Sequence, residues 1–326
     1  MEWAGPVGEA AYGADAFTAA ARRVVDYLSR ATPLETWSVS RVAGGEQVHV
    51  HVRDSELITT GQRVDWQDSF CRRMTTGAAH VVVDSAADPD YAPLPAAQDV
   101  RAYVGYPIAD ENGELFGILC GVGDTPLADA DAVDPVLVEM LSGLLSTQLV
   151  VSRAADREVR AAQVAAAQSD TDALTGLTSR RGWDLFVDDA QRRIDAFGDL
   201  VAVAVVDLDG LKLVNDTAGH AAGDELIRRA GRGLRAAAGR QDRVARYGGD
   251  EFAILTNNVP VTDLDRHYAR FVEALAGEGV RASLGHAWTG PGTATVADAF
   301  ERADAAMYAV KRSRAGLRTA APSPGR

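Results

Sequence analysis

Cysteine is nearly absent: Cys71 and Cys120 are the only two in 326 residues. They are too few and too far apart for a disulfide framework or a thiolate zinc site, so both read as reduced cytosolic thiols. Long hydrophobic runs are missing too, since no stretch approaches the roughly 18 consecutive apolar residues of a membrane span. The opening MEWAGPVGEAAYGAD lacks the basic start and apolar core of a secretory signal. A soluble, cytoplasmic protein with no membrane partner is expected. Basic residues are in deficit, with 33 Lys and Arg against 46 Asp and Glu and a formal net charge of -13. That balance argues against nucleic acid as a partner, because binding a phosphate backbone needs a basic face. A phosphate-bearing small molecule would have to be held locally, by metal ions and a few cations. No internal repeat of 20–50 residues is found.

What is present suffices for more than one core: 47% of residues are hydrophobic and 24% charged, and the length favours two domains. Residues 1–14 and 320–326 are rich in Gly, Pro and Ala and are expected to be flexible ends. From Ala16 to Arg30, apolar residues at Phe17, Ala20, Ala21, Val24, Val25 and Leu28 have amphipathic helical spacing. Strand-like runs follow at Thr36–Val42, Gln47–Val52, Val81–Val83, Ala102–Ile108 and Leu115–Val122, with Asn112-Gly113 as a hairpin signal between the last two. His49 and His51 are two apart on one strand and are expected to share a face. With no third ligand nearby in sequence, a solvated or packed pair is favoured over a metal site. Cys71 reads as a buried structural thiol.

Asp68-Ser69-Phe70-Cys71, Val83-Asp84, Ala102–Ile108 and Gly113–Cys120 together resemble a GAF domain, over residues 15–150. The resemblance implies an α/β sensor module with a small-molecule or protein input of unknown identity.

Residues 135–171 read as a helical linker that overlaps the last helix of this sensor. Leu137, Leu141, Leu144, Gln148, Val151 and Ala155 alternate steps of four and three, as a coiled-coil seam does. Val159, Ala162 and Ala166 continue the seam after an extra step of four, a stutter. Packing of the first half against its own domain is an equal reading, while Ala154–Gln168 is favoured as a dimer connector.

A second α/β domain is expected over residues 172–319. Leu200–Val206 is a continuous apolar run suited to a buried strand, and it ends in Asp207-Leu208-Asp209. Strands are expected near Arg243–Tyr247, Glu251–Thr256 and Arg281–Ala287, with helices near 222–238, 262–276 and 295–315. Between the second and third strands lies Gly248-Gly249-Asp250-Glu251-Phe252. Hard carboxylate oxygens at a strand end and in a tight glycine turn suit Mg²⁺ with a phosphate substrate, although either piece alone is a common acidic turn.

The joint pattern is far more specific. Asp207–Asp224 followed by Gly248–Phe252, with Asp172–Arg181 before them and Ser283-Leu284-Gly285 and Ala303–Lys311 after, resembles the GGDEF family of diguanylate cyclases over residues 170–318. Thr178, Ser179 and the stretch Arg312–Gly316 depart from the usual residues. The resemblance implies a mixed sheet flanked by helices, and condensation of two GTP into cyclic di-GMP with release of two pyrophosphates, across a homodimer joined through the linker and the GAF-like domain. Asp207, the carbonyl of Leu208, Asp250 and Glu251 would hold two Mg²⁺ ions, with Mn²⁺ able to substitute. Asp250, Glu251 and Lys212 would be catalytic. Asn215, His220 and Asp224 would bind guanine, with Asp224 accepting from N1–H and the 2-amino group. Gly210, Leu211, Lys212, Lys311 and Arg314 would attend the phosphates.

The rival reading is a catalytically silent receptor for GTP or cyclic di-GMP. Intact Asp207, Asp250, Glu251, Asn215 and Asp224 weigh against it. Product-inhibited members of the family carry Arg-x-x-Asp ahead of the signature turn. Here the window is Gly239-Arg240-Gln241-Asp242, with the arginine displaced by one place, so inhibition at that position is expected to be weak or absent.

Overall fold

A computed structural model describes residues 13–53, 56–167, 171–257 and 263–319. Of the expected flexible ends 1–14 and 320–326, residues 1–12 and 320–326 lie outside the described residues, as do the last connector positions, 168–170, whereas Ala14 begins a helix and is buried. The chain divides into two compact units, one running to Arg160 and joined by residues 193–198, the other formed by the remainder from Ala161.

In the first unit, helix α1 (Ala14–Ala31) precedes strands β1 (Thr36–Ala43), β2 (Glu46–Val52) and β3 (Arg63–Asp65). A short helix α2 (Phe70–Thr75) follows, then β4 (Val81–Val82), β5 (Ala102–Ala109), β6 (Leu115–Gly123) and the long helix α3 (Pro135–Ala167). The sheet runs β3-β2-β1-β6-β5-β4, with every strand pair antiparallel. Helix α1 buries Phe17, Ala21, Val25 and Leu28, the stripe its spacing predicts. These side chains pack with Trp37, Val39 and Leu119 of the sheet and with Val138, Leu145 and Leu149 of α3. A second core holds Phe70, Cys71, Tyr91, Tyr103, Ile118 and Cys120. At the β5–β6 hairpin Gly113 takes φ 77, and the Asp110 carboxylate accepts from the Asn112 and Glu114 amides.

The shared face expected for His49 and His51 is not found. A register shift pairs Val39 with His51 but Ser40 with His49, so β2 carries one extra residue between the histidines. His49 therefore lines a cavity, whereas His51 packs edge-on against the Phe17 ring, 6.0 Å between centroids.

Pro135–Val159 is one helix long and apolar enough to cross a membrane by length and composition, more than the sequence scan allowed. Within the unit it is a packing helix, with Val138, Leu145 and Leu149 in the core and the Ser142 hydroxyl donating to the Pro107 carbonyl at 2.7 Å. The packed stripe thus differs from the expected seam, which leaves Leu144 and Val151 exposed together with Val136 and Met140.

The second unit contains α4 (Arg180–Phe197) as far as Arg192, then β7 (Val201–Leu208), α5 (Leu211–Ala218), α6 (His220–Ala237), β8 (Asp242–Arg246) and β9 (Glu251–Asn257). It closes with α7 (Leu264–Gly277), β10 (Ala282–Thr289) and α8 (Val296–Thr319). Its antiparallel sheet runs β10-β7-β9-β8, and a single parallel bridge joins Thr178 to Ala245. Every residue of central β7 is buried, as its apolar run predicts. Alternation divides the strand: Ala202, Ala204, Val206 and Leu208 pack with Ile227, Leu234, Phe271 and Leu275 of α6 and α7. Val205 packs on the opposite side, with Ala303 and Met307 of α8. Asp207 falls on that second face, which sets what it meets.

Candidate active site

The acidic constellation is assembled by strand register. Asp207, two from Val205 on the α8 face, is the cross-strand partner of Glu251 in β9, and the Leu208 amide donates to the Asp250 carbonyl at 3.1 Å. The end of β7 is thus laced to the β8–β9 turn, which sets Asp207 opposite Glu251 and next to the backbone of Asp250.

The turn is held from behind. Arg246 donates to the Gly249 carbonyl at 2.8 Å and reaches Asp172 at 3.0 Å. Asp172 also accepts from the Thr175 amide and hydroxyl, at 2.8 and 2.7 Å. A carboxylate from the start of the domain therefore fixes the guanidinium that clamps the signature turn, a role not read from the sequence. Gly248 gives the Glu251 side chain its place, since a Cβ there would lie 2.6 Å from Oε2.

Asp207 is only 8% exposed, and Lys311 of α8 donates to its Oδ1 at 2.6 Å. Burial pushes the Asp207 carboxyl above its usual range; the bond and charge of Lys311 oppose this, and Asp250 and Asp209 add to it. Glu251 is raised as well, by burial and then by Asp250, Asp207 and Asp304. The Lys311 ammonium is raised despite burial, because Asp207 holds its proton. Mutual repulsion among hard oxygens, relieved in part by one lysine, is the electrostatic condition a divalent cation would satisfy. Among the described residues no three His, Cys, Asp or Glu side chains are already gathered into a metal-holding group, consistent with Asp207 being turned onto Lys311.

The remaining residues form a second cluster. Gly210 takes φ 85 and begins α5, leaving the first-turn amides near Leu211 without intrahelical partners. Lys212 is exposed and makes no ion pair among the described residues. Asn215 of α5 lies against α6 so closely that a Cβ on Gly223 would stand 1.9 Å from its Oδ1, beside Asp224. His220 and Asp224 are both exposed on α6. Arg314 donates to the Ala282 carbonyl at 2.6 Å and approaches Asp209 at 3.5 Å, so its guanidinium braces the strand ends. Ser283 donates to Asp209 at 3.0 Å.

Residues 169–316 match the sequence profile of the "Diguanylate cyclase, GGDEF domain" family, and residues 17–149 match that of the "GAF domain". A Streptomyces griseus protein described as uncharacterised, in the hutH 5' region, is 36% identical over 197 residues, covering 58% of this chain and 76% of its own. Diguanylate cyclase DgcP of Escherichia coli K12 is 27% identical over 308 residues, 89% of each chain. Among solved structures, the GGDEF domain of DgcB from Caulobacter crescentus in complex with c-di-GMP shares 31% identity, covers 44% of this chain and 91% of its own, and has a TM-score of 0.42. With the family profile spanning the acidic turn, strand β7 and the α5–α6 cluster, this chain belongs to the GGDEF diguanylate cyclase family and carries a GAF domain ahead of its GGDEF domain.

Proposed function

We propose that this protein is an active diguanylate cyclase that condenses two GTP into cyclic di-GMP and two pyrophosphates, regulated by its GAF domain. The observation that carries the reading is the register pairing of Asp207 with Glu251 beside Asp250, in a turn clamped by Arg246. Asp207, the Leu208 carbonyl, Asp250 and Glu251 would hold two Mg²⁺ ions, which when bound neutralise phosphate charge and acidify the attacking hydroxyl. Asp250 accepts the proton of the 3′-hydroxyl. Lys212 and Lys311 offset charge on the phosphates, and the amides at Gly210 and Leu211 donate to them. Asn215, His220 and Asp224 form the guanine pocket. Asp224 accepts from N1–H and the 2-amino group, which adenine cannot supply.

One domain holds one GTP, so ring closure needs two domains face to face. A homodimer through α3 supplies them, and the exposed apolar stripe of Val136, Met140, Leu144 and Val151 supports that pairing. Purified protein incubated with GTP and Mg²⁺ is expected to yield cyclic di-GMP by mass spectrometry. A dimer that binds GTP but gives no product at any concentration overturns the reading in favour of a silent receptor.

Gly223 tests the guanine pocket separately. Gly223→Ala drives a methyl group into Asn215 Oδ1. KM for GTP should rise roughly fivefold to tenfold, the loss of about one hydrogen bond. Steady-state kinetics with kcat changed less than KM would bear this out; an unaltered KM would remove Asn215 from the pocket.

A further inference from the structure

The two cysteines, distant in sequence, meet in the first unit. Cys71 near the start of α2 and Cys120 within β6 are 3% and 1% exposed and pack in the same core. Both line a cavity of ≈ 450 Å³. Its lining includes Glu56, Asp68 and Asp99, which are exposed, so small solutes have a route inward past an acidic rim.

The surroundings of Cys71 are donors. Gln47 Nε2 donates to its sulfur at 3.1 Å, and the buried Tyr103 hydroxyl, which has no hydrogen-bond partner, lines the same cavity. Burial opposes a charge on Cys71, but the donors around it, Gln47 among them, outweigh it and hold the thiol below its ordinary range. Cys120 is pushed well above its range by its neighbour Cys71 and by burial. His49 is no counter-ion: burial lowers it to about 4, and its neutral ring bonds the Ser38 hydroxyl at 2.7 Å. Gln47 Oε1 is buried without a partner beside the same sulfur. Both thiols belong to an apolar core, yet each also meets a polar group, Gln47 Nε2 at Cys71 and the Ser38 hydroxyl 3.3 Å from Cys120, and two polar atoms lining the cavity, Gln47 Oε1 and the Tyr103 hydroxyl, have valences to spare.

We propose that Cys71 and Cys120 form a peroxide-responsive thiol pair in the GAF domain, with Cys71 as nucleophile and Cys120 as resolving thiol. The oxidant is a small neutral hydroperoxide, since the acidic rim disfavours anions. The Cys71 thiolate attacks one peroxide oxygen and the O–O bond breaks. The departing hydroxide takes a proton to become water, leaving a sulfenic acid on Cys71. Gln47 Oε1 is placed to accept its O–H. The Cys120 sulfur then attacks the Cys71 sulfur and displaces hydroxide, which leaves as water with the Cys120 proton. Two thiols lose two electrons, and hydrogen peroxide becomes two waters.

The test uses the reduced full-length chain, treated with hydrogen peroxide, alkylated under denaturing conditions and digested for mass spectrometry. A Cys71–Cys120 cross-linked peptide, lost on reduction, is expected. In Cys120→Ser, dimedone should label Cys71, and in Cys71→Ser, Cys120 should oxidise at least roughly tenfold more slowly than the wild-type pair. Full alkylation of both thiols after peroxide, a cross-link only between two chains, or equal oxidation of Cys120 without Cys71 overturns the proposal. The wild-type digest needs neither variant to fold.

Discussion

Asp250→Ala is expected to lower cyclic di-GMP formation by at least about 10³-fold, some 4 kcal/mol of transition-state stabilisation, while leaving the fold intact. The two halves of that expectation have separate grounds. The Asp250 side chain is half-buried and makes no hydrogen bond or ion pair among the described residues, and the bond from the Leu208 amide reaches its backbone carbonyl, which alanine retains. Removing the carboxylate also relieves repulsion on Asp207 and Glu251, both of which it pushes upward. The melting temperature should therefore stay within about 2 °C. Activity has no such reserve under the proposed mechanism, in which Asp250 would combine the proton acceptor with oxygen for the cation. Asp250→Asn, equal in size, should be as inactive as alanine. Initial rates by mass spectrometry alongside melting curves check both halves. Retention of more than a tenth of the wild-type rate would move the base to another residue.

The acidic strand and turn were legible because each is continuous in sequence and each imposes its own local structure. Leu200–Val206 has no polar residue to give it a solvent face, so it had to be a central strand, and Gly248-Gly249 had to be a turn. Links between distant segments were not legible. Asp172 and Arg246 meet only because the Thr178–Ala245 bridge draws the start of the domain alongside β8. The β2 bulge that separates His49 from His51 left no mark in the alternation of Gln47–Val52, because inserting one residue changes the face without changing the composition. Helix α4 was missed although Trp183, Ala190, Ile194 and Phe197 are buried at helical spacing. Asp184, Asp188, Asp189, Arg192, Arg193 and Asp195 crowd the same segment and mask the stripe. Helix α5 is eight residues long, too short for periodicity to declare itself. Cys71 is a buried thiol as its sequence context reads, and its packing with Cys120 was illegible for the same reason as the clamp, since only the sheet brings the two into one core.

Asp242 shows how a residue can match a regulatory motif and do other work. Its side chain is 1% exposed and accepts from His267 Nε2 at 2.8 Å, Thr256 Oγ1 at 2.8 Å and the Gly239 amide at 2.7 Å, as well as from Arg270. Both oxygens are spent inside the domain. With the arginine of the motif displaced, nothing at this window is free to hold a second cyclic dinucleotide through Asp242, which supports the expected weakness of product inhibition there. Asp242→Ala should instead destabilise the cyclase domain. It strips the counter-charge from Arg270 and leaves the Thr256 hydroxyl and Gly239 amide without their acceptor, and breaking a buried pair from one side costs about 3–5 kcal/mol. The Arg270 side chain is 38% exposed and can recover water, which points to the lower end, about 3 kcal/mol or roughly 10 °C in melting temperature. Calorimetry of wild type and variant reads this directly, with initial rates measured at increasing cyclic di-GMP for both. A variant that melts within about 2 °C of wild type but escapes strong micromolar inhibition would return Asp242 to a ligand-binding role.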